Sequence, residues 1–189
     1  MADPAFDPPI HVDWVDSTLL GDGLPGRLGL TILPGKHGKS VRYPGLVYRR
    51  DTRADLDRLR AEGIRTLFLL VEDAELERWG DRRVVEHGEA AGIRVIRFPI
   101  RDGHAPRSDG AVDTLLDQVE AARHAGDAVV ACMGGVGRSG TIVACALVRG
   151  GASADRAIAH LRDVRHPSAV ETREQQDFVE AYEAHVRAR

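Results

Sequence analysis

Short apolar runs alternate along the chain with stretches in which apolar residues recur every three or four positions. The clearest strand-like runs are Leu28–Leu33, Thr66–Val71, Ile93–Phe98 and the short run Val129–Ala131 before Cys132. The run Thr66–Val71 is apolar at nearly every position, which indicates a central strand covered on both faces. Shorter strands are predicted at Val12–Val15 and Gly45–Tyr48.

The stretches between these strands have the spacing of helices with one buried face. Predicted helices begin at the caps Thr52, Ser108 or Asp109, Ser153 and Thr172, cover residues 74–91 with an interruption at Trp79-Gly80, and run from Ser139 to Arg149. Thr172 and Gln175 have capping-box spacing. Alternating strands and helices predict a single α/β domain over residues 10–189, with a central, mainly parallel sheet flanked by helices on both faces. Residues 1–9 are predicted to be a loose tail.

Composition places the chain among globular proteins. Its 189 residues are 43% hydrophobic and 29% charged, and the formal net charge of −3 argues against nucleic acid or an acidic membrane as the main partner. The acidic N-terminus lacks a signal-peptide pattern, so we expect a cytoplasmic protein. The sequence does not determine the oligomeric state, and a monomer is the default expectation. The strong preference for Arg over Lys suggests a bacterial, GC-rich genome. Two cysteines, Cys132 and Cys145, do not form a disulfide framework.

A glycine-rich turn between a predicted strand and a predicted helix is the strongest chemical signal. It begins at Cys132 and ends at Arg138-Ser139. The glycines allow consecutive N–H groups to turn inward, and the helix start adds its own free N–H groups, so we expect an oxyanion site. Arg138 could bind two oxygens of a tetrahedral anion. The same field favours the Cys132 thiolate, with a pKa of roughly 3.5–7.5 for cysteines so placed.

The segment Cys132-Met133-Gly134-Gly135-Val136-Gly137-Arg138-Ser139 resembles the Cys-x5-Arg-Ser/Thr signature of the cysteine-dependent protein phosphatases. From about Leu30 to about Tyr182 the chain is most similar to the dual-specificity branch, and within it to the kinase-associated phosphatase group. The resemblance implies hydrolysis of phosphomonoesters through a phosphocysteine, without a cofactor or metal. It also implies that Cys132 is the nucleophile, that residues 133–138 bind phosphate and that Ser139 hydrogen-bonds to the sulfur.

Asp102 is the candidate general acid. It follows the strand Ile93–Phe98, so it should lie at the same sheet edge as Cys132. The segment Phe98–Gly103 resembles the general-acid loop of these phosphatases, and Gly103 would let the loop move. Some relatives place a water-positioning glutamine where Gln175 lies, although its capping box explains that residue equally well.

The same motifs allow other interpretations. Gly135–Gly140 also matches a dinucleotide fingerprint, but no second strand with an acidic end follows it. A glycine turn with a buried cysteine explains neither Arg138 nor Asp102. The low-molecular-weight phosphatase and arsenate reductase schemes place the acid after the cysteine, which is the reverse of the order here. The basic segment containing Lys36, His37, Lys39 and Arg42 is either a lip for an anionic substrate or, as we prefer, a solvated loop.

One position departs from the family pattern. The residue before the nucleophile is usually His, and here it is Ala131, so the thiolate should be less stabilised. This feature supports an alternative, a weak or inactive pseudophosphatase that binds phosphate or phosphopeptide. The loop has no Lys between Cys132 and Arg138, which favours phosphoproteins or simple phosphomonoesters over inositol polyphosphates. By family analogy we expect a shallow site for phosphotyrosine, with phosphoserine or phosphothreonine as further substrates.

Overall fold

The structure is a computed structural model that describes residues 8–189; most of the predicted tail, residues 1–7, lies outside the described residues. A five-stranded sheet has the order β1-β2-β7-β5-β6. Its strands are β1 (Asp13–Trp14), β2 (Leu28–Ile32), β5 (Ile64–Leu69), β6 (Arg94–Arg97) and β7 (Asp127–Cys132). The edge strand β1 is antiparallel to β2, and the other three pairings are parallel. The predicted mainly parallel sheet is therefore confirmed.

Helices cover both faces of this sheet. They are α1 (Thr52–Ala61), α2 (Asp73–Trp79), α3 (Val84–Ala90), α4 (Asp109–Ala125), α5 (Arg138–Arg149), α6 (Ala154–Val164) and α7 (Arg173–Arg187). Apolar residues of α1 to α3 share one core cluster with the sheet, and those of α4 to α7 share the other. Within the described residues, no helix is both long enough and apolar enough to cross a membrane.

Most helix boundaries agree with the sequence pattern. The predicted break falls where α2 ends, at Trp79, and the predicted caps Ser108 and Ser153 each accept a backbone N–H. The predicted cap Thr52 is wrong, because Asp51 accepts the N–H of Ala54 at 2.8 Å. Both residues are good caps, and the carboxylate one position earlier takes the role.

The predicted loop after β2 is a two-stranded antiparallel ribbon. β3 (His37–Lys39) pairs with β4 (Val47–Arg49), and residues 40–46 connect them. The connection is closed by a 2.9 Å hydrogen bond from the Ser40 N–H to the Leu46 carbonyl. Its backbone groups therefore find partners within the ribbon, apart from the main sheet.

Alternation along β7 sets the orientation of Cys132. Val129 and Ala131 face α1 to α3, whereas Val130 and Cys132 face the helices of the other layer. The strand ends are tied together there, since Leu70 N–H donates to the Ala131 carbonyl at 2.9 Å. The segments that follow β5, β6 and β7 thus meet at one edge of the sheet.

Candidate active site

Cys132 lies at the floor of the phosphate loop, residues 132–138, with 3% of its surface exposed. Its Sγ is 3.3 Å from Ser139 Oγ, and the backbone N–H groups of Val136 and Ser139 also point to the sulfur. Burial raises the pKa of the thiol, but the Arg138 charge and these hydrogen bonds outweigh it and lower the pKa below its ordinary value. The site therefore favours a thiolate.

Arg138, at the first position of α5, is held by a buried carboxylate. Its Nη1 and Nη2 donate to the two oxygens of Glu75 at 2.6 and 2.8 Å, and Nη1 also donates to the Ile100 carbonyl at 2.9 Å. These contacts fix the plane of the guanidinium and, despite burial, raise its pKa. Glu75 was not predicted from the sequence. Its position after the central strand β5, which ends at the same sheet edge as Cys132, was the signal that could have identified it.

Asp102 reaches the same guanidinium from the acid loop, residues 99–105. Its Oδ1 lies 2.9 Å from Arg138 Nη2, while 79% of the side chain is exposed. The structure thus brings Asp102, Cys132 and Arg138 together at one edge of the sheet.

The acid loop is attached to the start of α7. Thr172 Oγ1 donates to the Gly103 carbonyl at 3.0 Å, and the Ala105 N–H donates to Glu174 Oε1 at 3.0 Å. Gly103 has a φ of 77°, which favours glycine over other residues. The position of Asp102 therefore depends on contacts that its neighbours make with α7.

Gln175 lies between the two loops, and its predicted capping box is confirmed. Its Oε1 accepts the N–H groups of Glu171 and Thr172 at 2.9 and 3.2 Å, and its Nε2 donates to the His104 carbonyl at 3.2 Å. One N–H of the amide is left over from these contacts. A water-positioning role for Gln175 stays a prediction.

The outer side of the phosphate loop is bound by a residue that sequence reasoning did not identify. Arg165 donates from Nε to the Gly135 carbonyl and from Nη2 to the Gly134 carbonyl, both at 2.9 Å. Its Nη1 forms an ion pair with Asp13 of the edge strand β1. Because these carbonyls are held outward, the peptide planes are fixed on the side away from the sulfur.

The loop before α7 adds a third contact of this kind. The Val170 N–H donates to the Val136 carbonyl at 3.3 Å, and Val170 has a φ of 57° although it is β-branched. Such backbone strain costs about 1–3 kcal/mol and persists only where the surroundings determine it. Gly135 also has a positive φ, and a Cβ there would lie 2.5 Å from the Thr31 carbonyl. The phosphate-loop conformation is thus imposed by its neighbours.

Two further observations concern alternative chemistry. Cys145 is fully buried in α5, and burial raises its pKa well above the ordinary value, so its thiol is inert. In the part of the chain that the structure describes, no group of three or more His, Cys, Asp or Glu could hold a metal ion.

Comparisons with known proteins agree with this geometry. Human cyclin-dependent kinase inhibitor 3 is 27% identical over 176 residues, which cover 92% of this chain and 79% of that protein. The crystal structure of kinase associated phosphatase with its catalytic-site cysteine replaced by serine has a TM-score of 0.82 and 25% identity, covering 97% of this chain and 99% of the other. Tk-PTP in the active form has a TM-score of 0.69 and 27% identity, covering 92% of this chain and 96% of the other.

A family model also matches the chain. Residues 45–152, which include the acid loop and the phosphate loop, match the model described as the DSP-PTPase phosphatase of polymorphic toxin systems. The chain belongs to this family of dual-specificity phosphatases, and it is a cysteine-dependent protein phosphatase.

Proposed function

We propose that the protein hydrolyses phosphotyrosine in phosphoproteins, and phosphoserine and phosphothreonine as well, through a phosphocysteine on Cys132 with Asp102 as general acid and base. The observation that carries this proposal is that three groups needed for the reaction lie close together. The pKa of Cys132 is lowered, in part by the charge of Arg138, and the same guanidinium contacts the Asp102 carboxylate. The thiolate is needed for nucleophilic attack and the guanidinium for binding a tetrahedral dianion. The carboxyl group is needed to protonate the departing alkoxide or phenoxide.

In the first half-reaction, the Cys132 thiolate attacks phosphorus and the bond from phosphorus to the leaving oxygen breaks. Residues 133–137 supply backbone N–H groups, and Arg138 balances charge on the equatorial oxygens. Arg138 Nη2 is shared by Glu75 and Asp102 in this structure. An incoming phosphoryl group would therefore take the place of Asp102 at Nη2. The released carboxyl group, in its protonated form, donates its proton to the leaving oxygen.

In the second half-reaction, water attacks the phosphocysteine while the Asp102 carboxylate accepts a proton from it. The S–P bond breaks, inorganic phosphate leaves and the thiolate is restored. Ser139 supports this departure because its hydroxyl, 3.3 Å from Sγ, can donate a hydrogen bond to the developing sulfur anion.

A second candidate, a phosphopeptide-binding pseudophosphatase, is favoured by one feature. Ala131 offers no hydrogen bond to the loop, and its methyl group is buried among the apolar residues under α1 to α3. Against this candidate, Arg165 holds two loop carbonyls from the other side, and the pKa of Cys132 is lowered without a histidine. We therefore prefer the active enzyme.

The test is a single-turnover experiment. Enzyme in excess is mixed with a phosphotyrosyl peptide, quenched in acid and digested, and the peptide containing Cys132 is examined by mass spectrometry for a phosphoryl group. We expect the phosphocysteine to form and decay with turnover, and p-nitrophenyl phosphate to be hydrolysed across a pH range that includes neutrality. Cys132→Ser is the control, and it should bind the peptide without turnover. Hydrolysis by that variant, or turnover without the adduct, would exclude the mechanism; binding without any hydrolysis by the native chain would favour the pseudophosphatase.

A further inference from the structure

The exposed large hydrophobic side chains of the described residues are concentrated on one element. All of them lie between β3 and the first residue of β4: Val41, Tyr43, Leu46 and Val47, exposed by 99%, 47%, 39% and 41%. Exposed apolar residues that cluster in this way mark interaction surfaces, whereas isolated ones do not. These four side chains therefore indicate a surface that binds another molecule.

The same element is strongly basic. We call residues 36–50 the basic ribbon; it contains both lysines of the chain and no Asp or Glu, and its basic residues are Lys36, Lys39, Arg42, Arg49 and Arg50. Arg50 forms a nearly buried ion pair with Asp55, so its charge is neutralised there. Arg42 is likewise paired, with Glu171 outside the ribbon. Because the ribbon contains no acidic residue of its own, it carries a net positive charge in a chain whose formal net charge is −3. A partner of matching chemistry combines negative charge with apolar side chains.

Contacts at two points place the basic ribbon at the rim of the phosphate loop. At its base, Gly38 packs against Trp79, where an added Cβ would lie 3.3 Å from the indole ring. At its tip, Arg42 forms an ion pair with Glu171. A carboxylate oxygen of Glu171 lies 3.1 Å from the position of a Cβ on Gly137. The tip is thus one side chain away from the phosphate loop.

We propose that the basic ribbon binds the polypeptide on either side of the phosphorylated residue, and that it selects substrates with acidic and apolar flanking residues. This proposal rests on the proposed function. A phosphorylated side chain that enters the loop carries its own backbone across the rim, so flanking residues must pass close to the ribbon tip. Acidic flanking residues would meet Lys39 and Arg42, and apolar ones would cover Val41 and Leu46. A free phosphomonoester would meet none of them.

The experiment compares a small substrate with peptides. Steady-state constants are measured for p-nitrophenyl phosphate and for phosphotyrosyl peptides of one length whose flanking residues are acidic and apolar, neutral, or basic. Lys39→Glu should raise KM for the acidic peptide about 3- to 10-fold and lower it for the basic one, as expected for exposed charge pairs. The double variant Val41→Ser/Leu46→Ser should raise KM for the apolar-flanked peptide by a similar factor. Both variants should leave p-nitrophenyl phosphate turnover unchanged.

Arg94→Glu is the matched control for charge, because Arg94 is exposed and begins β6, at the sheet end opposite the site. It should change none of these constants. The proposal is overturned if KM does not depend on the flanking residues, or if the ribbon variants change small-substrate and peptide kinetics in proportion. The proposal is also overturned if the ribbon variants abolish binding to phosphatidylserine vesicles while KM for the peptides stays constant. The ribbon would then be a lipid-binding surface.

The two proposals fail separately. If the native chain does not hydrolyse p-nitrophenyl phosphate, the proposed function is wrong. The same peptide series is then measured by fluorescence anisotropy on Cys132→Ser, with and without the ribbon substitutions. Selective binding of the acidic, apolar peptide that Lys39→Glu weakens would still support the basic ribbon as its docking surface, and equal binding of all peptides would refute it.

Discussion

The phosphate loop and the acid loop end at the same guanidinium but are held in different ways. In the phosphate loop, Cys132 and Arg138 are exposed by only 3% and 2%. In the acid loop, 79% of the Asp102 side chain is exposed. Exposed contacts are weaker than buried, charge-assisted ones, so the Asp102 side chain can leave Arg138 at little cost while the phosphate loop stays formed. Cys132 is therefore held in place, whereas the Asp102 side chain is free to move.

This difference supplies two separate measurements. Substitutions that disturb the phosphate loop should change the pKa of Cys132, which is measured from the pH dependence of its alkylation. Damage to the acid loop should change how strongly the rate depends on the leaving group, because only the proton donor senses that oxygen. In the native chain the alkylation of Cys132 should persist at pH values where an ordinary thiol is protonated. Buried Cys145, whose pKa is raised, should not react.

The largest effect is expected at the guanidinium. Arg138→Lys loses the bidentate pairing with Glu75 and the planar fork for the phosphoryl oxygens, so kcat/KM should fall by about 10³- to 10⁵-fold. The alkylation pKa of Cys132 should rise as well, because the charge moves away from Sγ. Arg149→Lys is the matched control on the same helix, where the side chain pairs with Asp117. A mild loss in R138K, comparable to the control, would contradict the role of the fork.

The next effect is expected at the acid. Asp102→Asn should lower kcat/KM by about 10²- to 10⁴-fold for alkyl phosphates and much less for p-nitrophenyl phosphate, whose leaving group needs little protonation. The alkylation pKa of Cys132 should change little. Asp163→Asn, an exposed carboxylate on α6, is the control. An equal loss for all esters would mean that Asp102 is not the proton donor.

The part of the site that was predictable from the sequence is local. Cys132, Arg138 and Ser139 belong to one strand-loop-helix segment, so spacing alone brings them together. Asp102 was placed by topology, because parallel strands end at one edge. Glu75 and Arg165 were not predicted. They lie 63 and 30 positions from their partners in the phosphate site, and nothing in the local pattern distinguishes them from other charged residues near helix ends.

Only half of the basic ribbon was predicted: a strand was expected at Gly45–Tyr48, whereas β3 was expected to be part of a loop. Its two strands are short, at three residues each, and the seven-residue connection 40–46 is longer than the two-residue turns that identify hairpins most clearly from sequence. Its charges therefore had the pattern of a solvated loop. The parallel sheet was easier to predict, because runs such as Leu67–Val71 are apolar at every position, and strands buried on both faces are typical of parallel sheets with helices on either side.

A smaller effect is expected at the outer support of the phosphate loop. Arg165→Met removes the donors to the Gly134 and Gly135 carbonyls, so the loop relaxes and kcat/KM should fall by about 10- to 100-fold, the equivalent of one or two charged hydrogen bonds. The native pKa of Cys132 is lowered, so a looser loop should move the midpoint of the alkylation profile to higher pH. Leaving-group dependence should not change.

Arg162→Met controls for this change, because Arg162 lies on α6 three positions earlier and donates to the Ala169 carbonyl, away from residues 134 and 135. Arg165→Lys should recover part of the activity, since one of the two contacts can be remade. If R165M and R162M behave alike, or if the alkylation midpoint of R165M matches that of the native chain, the contribution of Arg165 to the thiolate is refuted.

The smallest effect is expected where α7 holds the acid loop. Glu174→Gln keeps the shape of the side chain but weakens its contacts with the Ala105 N–H and with His104 Nδ1, at 3.0 and 3.1 Å. Exposed pairs contribute little, so kcat/KM for alkyl phosphates should fall only about 2- to 5-fold. Glu180→Gln, farther along α7 and beside α6, should have no effect. An unchanged alkylation midpoint together with a steeper leaving-group dependence would assign Glu174 to the acid alone; a shifted midpoint would mean that the two loops are mechanically coupled and not independently held.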